Sequence, residues 1–574
     1  MLPSRHGLWA VLALLYACPS IAAIEPIDTS AQEQLLQQER LRVLRQQQET
    51  APDMRQPGSQ PPAPLAYPTE ESPCFIIRQI SLEGEHADLF QFALQDVLHG
   101  DKDHIAIGRC LGAQGINTAM SHVQNAIVAE GYVTTRILAG PQALGNGRLR
   151  LAVIPGKVRQ IRFTPDSSQR IRYGNALPVA PGDILNLRAI EQGLENLKRS
   201  PTSDADIQIE PADGNAQPGE SDLVIRYRQA LPFRLTFSAD DGGFDSTGKY
   251  QGGVTLSGDN LLGLSDLFYI NLNQDLGGGD KGSRGSRGKT LHYSIPYGDW
   301  LFSATGSSYT YHQEVAGLNQ SYLYSGRTQN AEFRLSRMVY RSAINKTQLS
   351  LGSFFRKSFN YVDDTEVEVQ RRRTAGWSLG VSQSWYLGQS ILDYSLAYRR
   401  GTGAQQALKA PEEAFGEGTS RMEIITADIS FMAPLSIQAP WGTQALRYAA
   451  NIRAQSNLTP LTPQDRFAIG NRYTVRGFDG QLTLSADRGW FIRNDLSAML
   501  GQSGQALYLG LDYGEVGGQS SDTLIGKQLA GAVIGMRGGY KGFSYDLFLG
   551  QPVKKPDGFE TAKTAAGFNL NWSF

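Results

Sequence analysis

The chain has 574 residues but only three cysteines, seven histidines and a formal net charge of −1. Each shortage excludes something. Balanced charge removes the basic face that nucleic acid requires, so no nucleic-acid partner is expected. The histidines show no metal-ligand spacing, no Ser/His/Asp assembly follows from spacing, and neither metal, cofactor nor catalytic residue is assigned. Enzymatic activity is not expected. After the N-terminus there is no run of 18 apolar residues, which leaves no transmembrane helix. A transmembrane barrel escapes that test, because only alternate residues of each strand meet lipid. One phosphate-loop echo, Gly285-Ser-Arg-Gly-Lys-Thr290, has Ser283 where the first glycine is required and is followed by a strand-like run, so the phosphate cradle is missing.

What is abundant is glycine and aromatics: 62 Gly, 24 Tyr and 23 Phe, with 19% charged residues. That balance leans toward β structure. The first 23 residues read as a secretory signal, with Arg5 and His6 before an apolar run from Leu8 to Ala17 and small residues to Ala23. Leu15-Tyr-Ala-Cys18 is an alternative lipoprotein signal, in which Tyr16 is bulky. Export leaves Cys74 and Cys110. In an oxidising compartment they can pair; the alternative is two buried free thiols.

Residues 24–50 follow, rich in Gln, Glu, Arg and Leu, without Pro or Gly from Thr29 to Thr50. Ser30 and Glu33 have the spacing of a capping box. The apolar stripe is too thin for a core helix, so this helix crosses water, docks weakly or sits in a polar cavity. Residues 51–73 carry seven prolines and read as an extended, semi-rigid linker. Two small α/β units come next, at 74–155 and 156–230. In the first, Ala87–Leu98 and Gln114–Glu130 have helical spacing among strands at Phe75–Leu82, Thr134–Leu138 and Arg148–Ile154. The second repeats the order more raggedly, with a helix over Leu187–Lys198 capped by Asn186. Each is expected to offer a sheet edge beside a helix, a surface suited to adding a strand from an extended peptide; simple spacers are the alternative.

From 231 to 574 the pattern turns to period two. Ala566, Phe568, Leu570, Trp572 and Phe574 alternate with Gly567, Asn569, Asn571 and Ser573. About sixteen strands can be counted, joined by links alternately short and long, with prolines expected in connections or at strand ends. Long links are expected near 274–288, 312–320, 402–420, 457–488, 514–528 and 551–562. That rhythm marks an outer-membrane barrel, with short periplasmic turns and long outer loops. The longest link, 457–488, holds Asn471–Gly480, where Arg476 and two aromatics sit among glycines. Either the loop folds back against a partner for Arg476, or the arginine meets water.

Two POTRA-like units, a barrel, the Val475-Arg476-Gly477-Phe478 motif and a terminal aromatic together resemble the TpsB transporters of two-partner secretion. These belong to the superfamily that includes the outer-membrane assembly insertases. Pro73-Cys74-Phe75, the Cys110-Leu111-Gly112 stretch and Gly131-Tyr132-Val133-Thr134-Thr135 look like the family's first POTRA domain. The resemblance implies a mainly β architecture: a 16-stranded antiparallel transmembrane barrel, two periplasmic α/β POTRA domains and an N-terminal plug helix over 24–50. It implies that Arg476 folds into the lumen and pairs with Asp512 of strand 13, which alternation independently points inward. It implies that Trp572 and Phe574 form a C-terminal signal read by the barrel-assembly machinery. The function implied is an outer-membrane pore that takes an unfolded partner exoprotein from the periplasm, plausibly along a groove near Leu187–Lys198, and exports it. The partner would be a large adhesin, haemolysin or contact-dependent toxin, with outer-membrane lipid around the barrel. A barrel-assembly insertase and a passive porin are the alternatives.

Overall fold

The computed structural model describes residues 26–49, 53–55, 66–100, 104–168, 170–214 and 216–574. The expected signal segment, 1–23, lies outside the described residues. The chain opens with the 23-residue helix Pro26–Gln48. It starts before Ser30, so Ser30 and Glu33 do not form a capping box. The Glu33 carboxylate instead accepts hydrogen bonds from the hydroxyls of Thr247, in the link 241–249, and of Tyr309, on the barrel wall, the latter at 2.7 Å. A carboxylate with two hydroxyl donors waiting in the barrel has no need to reach back to its own backbone.

In the first α/β unit, Gln79–Gly84 runs parallel to Arg148–Ile154, which pairs antiparallel with Arg136–Leu138. The helix Ala113–Ala129 buries Ala119, Val123 and Ile127 against Leu149 and Leu151. Ala87–Leu94 winds as a 3-10 helix before one α turn at Gln95–His99, where a single α-helix was expected. Cys74 and Cys110 are joined in a disulfide with their Cα atoms 5.2 Å apart. The end of the linker packs into this unit. Tyr67 is 7% exposed within the core, its hydroxyl donates to the His104 carbonyl at 3.3 Å, and the Arg109 guanidinium lies over its ring. Glu71 accepts the backbone N–H groups of Gly112, Gln114 and Gly115 at 2.7, 2.8 and 3.0 Å. These are donors that the first turn of an α-helix leaves unpaired.

The second unit places Glu220–Gln229 between Lys157–Phe163, parallel, and Ser203–Pro211, antiparallel. Its helix, Leu187–Leu197, is capped by the Asn186 side chain, which accepts from the Arg188 N–H at 2.7 Å. Among the described residues between 164 and 186 there is no helix, so the order here is β-α-β-β.

Sixteen long antiparallel strands, Phe233–Asp240 to Ala565–Ser573, close into a barrel. Closure pairs the first strand with the last and leaves no open sheet, which a lipid environment demands. Leu507, Leu509 and Leu511 of strand 13 face outward while Tyr508 and Asp512 are buried inside. The turns nearest the α/β units are short: 298–299, 342–344, 388–389, 440–441 and 541–542. Exposed Tyr297, Trp300, Tyr340, Trp441, Tyr540 and Trp572 gather at this end, where amphipathic rings mark a membrane–water boundary. At the far end lie the long links 403–422, 458–487, 518–527 and 555–564. Two links expected to be long are only 278–283 and 317–320, because the strands themselves run on; strand 6, Ser321–Arg341, has 21 residues. Pro434 sits inside strand 10, Glu423–Ala439, away from the ends where prolines were expected. The seam is short. Strand 16 pairs with strand 1 over only the five positions Asn569↔Asp240 to Ser573↔Thr236.

Glu71 is held below the ordinary carboxylate value: desolvation pushes it up, and the three backbone donors outweigh that. Stability from a depressed carboxyl is fully present above its unfolded pKa, about 4.3, and is lost as pH falls through the lower folded value. The linker end should therefore come loose as pH falls below about 4, read as cleavage after Glu70 by a glutamyl endopeptidase. Glu71→Gln should be cleaved readily at neutral pH. Equal resistance of both proteins would refute the anchoring.

Candidate functional site in the barrel lumen

The long loop between strands 11 and 12 turns back into the barrel. Its outer part has its own apolar core: Phe467, Ile469, Val475 and Phe478 pack with Phe491 of strand 12 and Leu529 of strand 14. Phe478 meets Phe559, from the link 555–564, edge to face at 5.7 Å. Below Phe478 the chain reverses at Gly477, where φ is +98°, a conformation that favours glycine. A Cβ on Gly477 would stand 2.6 Å from the Gln551 carbonyl, and one on Gly531 would collide with the Arg476 carbonyl. The wall has been cleared of side chains where the loop backbone lies.

Arg476 is 2% exposed and Asp512 1%. The Arg476 Nε donates to Asp512 Oδ2 at 2.7 Å, its Nη2 to Asp512 Oδ1 at 2.8 Å, and its backbone N–H to Oδ2 at 3.0 Å. The same Nη2 reaches Asp495 Oδ1 at 2.6 Å, on strand 12. Asp495 also accepts from Arg537 at 2.6 Å, and Arg537 stacks its guanidinium 3.7 Å above the Tyr508 ring. Arg493 donates to the carbonyls of Arg472 and Tyr473, pinning the loop just before the motif. A planar fork flanked by two carboxylates suits arginine and not lysine. Asp495 escaped the sequence reading, although the alternation that points Asp512 inward also points its cross-strand neighbours Arg493 and Asp495 inward.

Val475 is buried in the loop core, while Trp572 and Phe574 sit at the short-turn end, exposed and with ring centroids 4.3 Å apart. The Phe574 N–H donates to the Leu235 carbonyl at 3.0 Å, extending the seam by one step. A second loop arginine, Arg472, also reaches the seam: it bonds Asp241 at 2.5 Å and the Phe568 carbonyl at 2.9 Å.

The helix Pro26–Gln48 runs through the same lumen. Its contacts come from all round the wall: Arg40 with Asp240 at 3.3 Å and Gln251 at 2.8 Å, Arg42 with Asp428 at 2.8 Å, Arg45 with Glu332 at 3.3 Å, and Glu39 with Arg453. Gln34 donates to Thr328 at 3.0 Å, and Gln48 accepts from Ser257 at 2.7 Å near the short-turn end. Beside the helix remains a cavity of about 550 Å³ lined by Arg334, Arg399, Asp428 and Arg453 among others. A nearly polar helix has found polar walls, which is why no apolar face was needed.

The groove suggested along Leu187–Lys198 is not open. Arg341, from the end of strand 6, donates to Glu191 at 3.1 Å, Gln192 at 3.3 Å and Glu195 at 2.9 Å. Asn196 donates to the Gly298 carbonyl at 2.8 Å. Two barrel turns therefore cover this helix.

A closed sixteen-stranded barrel with a lipid-facing exterior, two periplasmic α/β units and an inward-folded arginine loop defines an outer-membrane transporter of the POTRA-bearing class. The chain belongs to the haemolysin secretion/activation protein family ShlB/FhaC/HecB, whose profile matches residues 219–538; these are the TpsB transporters of two-partner secretion. Residues 75–156 match the ShlB-type POTRA domain and 157–211 a second POTRA domain. The chain is 38% identical to the outer membrane transporter CdiB-2 of Burkholderia pseudomallei (strain 1026b), over 97% of this chain and 96% of that one. It is 27% identical to the hemolysin transporter protein ShlB of Serratia marcescens, over 84% and 81%. The solved structure of CdiB from Acinetobacter baumannii superposes with a TM-score of 0.82 at 30% identity, covering 95% of this chain and 99% of that one. The POTRA units lie in the periplasm and the barrel in the outer membrane.

Removing one side of a buried ion pair strands the other, at a cost of about 3–5 kcal/mol. Arg476→Ala should lower the unfolding temperature of the detergent-solubilised barrel and expose the loop to protease. Arg476→Lys should recover only part, since an ammonium cannot hold both carboxylates in one plane. Wild-type unfolding of Arg476→Ala would show that the cluster does not hold the loop.

Proposed function

We propose that this chain is the export pore for one large partner exoprotein, that the loop tip at Arg476 is a strut holding the conduit's shape, and that the helix Pro26–Gln48 is its resting plug. The observation that carries the reading is the lumen itself. It contains two inserts, the loop tip held by a concentrated buried ion cluster below its apolar core and the helix held by polar pairs spread round the wall. A passive porin has no use for either insert or for two protein-binding units.

An unfolded polypeptide arriving in the periplasm would meet the POTRA units first. With the Leu187–Leu197 helix covered by the barrel, the edge strands are the surfaces that remain for strand addition: Gln79–Gly84 and Arg136–Leu138 in the first unit, Lys157–Phe163 and Ser203–Pro211 in the second. Export then requires the helix to vacate the lumen and the cargo to thread past the strut. ShlB is named a hemolysin transporter and CdiB-2 an outer membrane transporter; a haemolysin or contact-dependent toxin is the cargo class favoured here, ahead of an adhesin. Lipid would surround the outward leucines, and the barrel-assembly machinery would read Trp572 and Phe574 during insertion. The insertase alternative is disfavoured because the relatives named above are transporters.

Arg476→Ala and Asp512→Ala should each abolish or sharply reduce export of the cognate exoprotein, and the Arg476→Asp/Asp512→Arg exchange should restore part of it. Full export by both single variants would remove the strut from the mechanism. Deleting residues 24–50 should raise resting conductance in planar bilayers several-fold; unchanged conductance would remove the plug.

A further inference from the structure

The helix in the lumen continues into a linker, and that linker is fastened at a point just below the barrel. The backbone N–H of Met54 donates to Glu195 Oε1 at 3.3 Å, and Arg341 donates to the Met54 carbonyl at 3.0 Å. The Met54 side chain packs against the apolar core of the second POTRA unit. Asp53 and Arg55 pair with each other at 3.0 Å, and the Arg55 guanidinium lies 4.0 Å above the Tyr386 ring of strand 8. Three residues are thus gripped from two sides, by the POTRA helix Leu187–Leu197 and by the periplasmic rim of the barrel. Arg341 is 6% exposed at its side chain and binds Glu191, Glu195 and the linker together.

Chain length turns this grip into a constraint. The helix Pro26–Gln48 has 23 residues, so it is about 35 Å long. Its last residue, Gln48, is already at the periplasmic rim, bonded to Ser257 and Arg234. Arg341 and Tyr386 belong to the periplasmic ends of strands 6 and 8, so Met54 is held at the same level. The six steps from Gln48 to Met54 span at most about 20 Å. While Met54 stays fastened, the helix can descend little more than half its own length and must remain in the lumen. Among the described residues the next fixed point is Tyr67, in the first POTRA core. From Gln48 to Tyr67 the chain spans about 65 Å, enough for complete withdrawal.

We propose that Asp53–Arg55 is a latch: its seat between the second POTRA helix and the barrel rim must be vacated before the plug can clear the pore. The inference rests on the reading of Pro26–Gln48 as a plug, and adds where its departure is controlled. The seat lies on the second POTRA unit itself, so a cargo segment that engages or shifts this unit acts directly on the fastening. An extended peptide with an unbranched apolar side chain flanked by charges of both signs would fit the same seat and compete with the linker.

The test is single-channel conductance of the full chain in planar bilayers. Met54→Asp alters only the linker and places a carboxylate against apolar side chains and beside Glu195. It should raise the frequency of openings about tenfold or more, since the lost apolar contact alone is of the order of one decade. The Met54→Cys/Glu195→Cys pair, once oxidised, should suppress openings and halt cargo export until mild reduction, with wild type under the same reductant as control. Deleting residues 26–48 should leave the pore open whatever the state of the latch. An open pore after that deletion, combined with wild-type openings in Met54→Asp, would overturn the latch and leave the plug standing. Free opening by the cross-linked protein would also overturn the latch. No change on deleting the helix would overturn plug and latch together.

Discussion

A ring of sixteen strands encloses more space than its own inward side chains can fill. Eight strands make a packed interior; sixteen make a hole. The ring must be closed, because in lipid no edge can be left open. Everything else inside the molecule answers to that hole. It is lined by Asp, Glu, Arg, Thr and Asn from the inward positions, so whatever occupies it must be polar as well. A helix with no apolar face and a loop tipped by arginine are the two answers this chain supplies.

The two occupants are held in opposite ways. Arg476 is closed off from water, and its charge is balanced within 3 Å by Asp512 and Asp495. Breaking such a cluster strands charges in a dry place, at a cost of about 3–5 kcal/mol. The helix is buried at Glu33, but others of its pairs are partly open to the lumen, such as Arg42–Asp428 and Arg45–Glu332 with side chains about a third exposed. Pairs of that kind contribute about 0–1 kcal/mol each, and water replaces them readily. Strength is concentrated at the loop tip and dispersed along much of the helix.

Much of this was legible in the sequence, and the legible parts share a cause. Period-two alternation is a local signal, so the strands, their facing and the inward direction of Asp512 could be read directly. Motif residues at 475–478 identified the loop. What escaped depends on distant pairing. Asp495 is readable by the same alternation but needs the strand register to join it to Arg476. Phe559 meets Phe478 only because two outer links converge. Ser30 and Glu33 had the right spacing for a cap, yet the wall offered Glu33 better partners and the helix began earlier. The helix at 187–197 looked like an open groove because sequence pattern cannot show that a barrel turn sits on it. The linker, read as extended and semi-rigid, is tied at Met54, an apolar residue between Asp53 and Arg55, and at Tyr67, an aromatic between Ala66 and Pro68.

The seam carries a consequence of a different kind. Arg472 joins Asp241, just beyond the first barrel strand, to the carbonyl of Phe568 on the last. Its neighbours bury the loop against strands 12 to 15. The bridge that Arg472 makes is complete only where the first and last strands have met. The residue that fastens the inward fold of the loop is thus also a clasp on the ring, so lumen and wall share one point of closure.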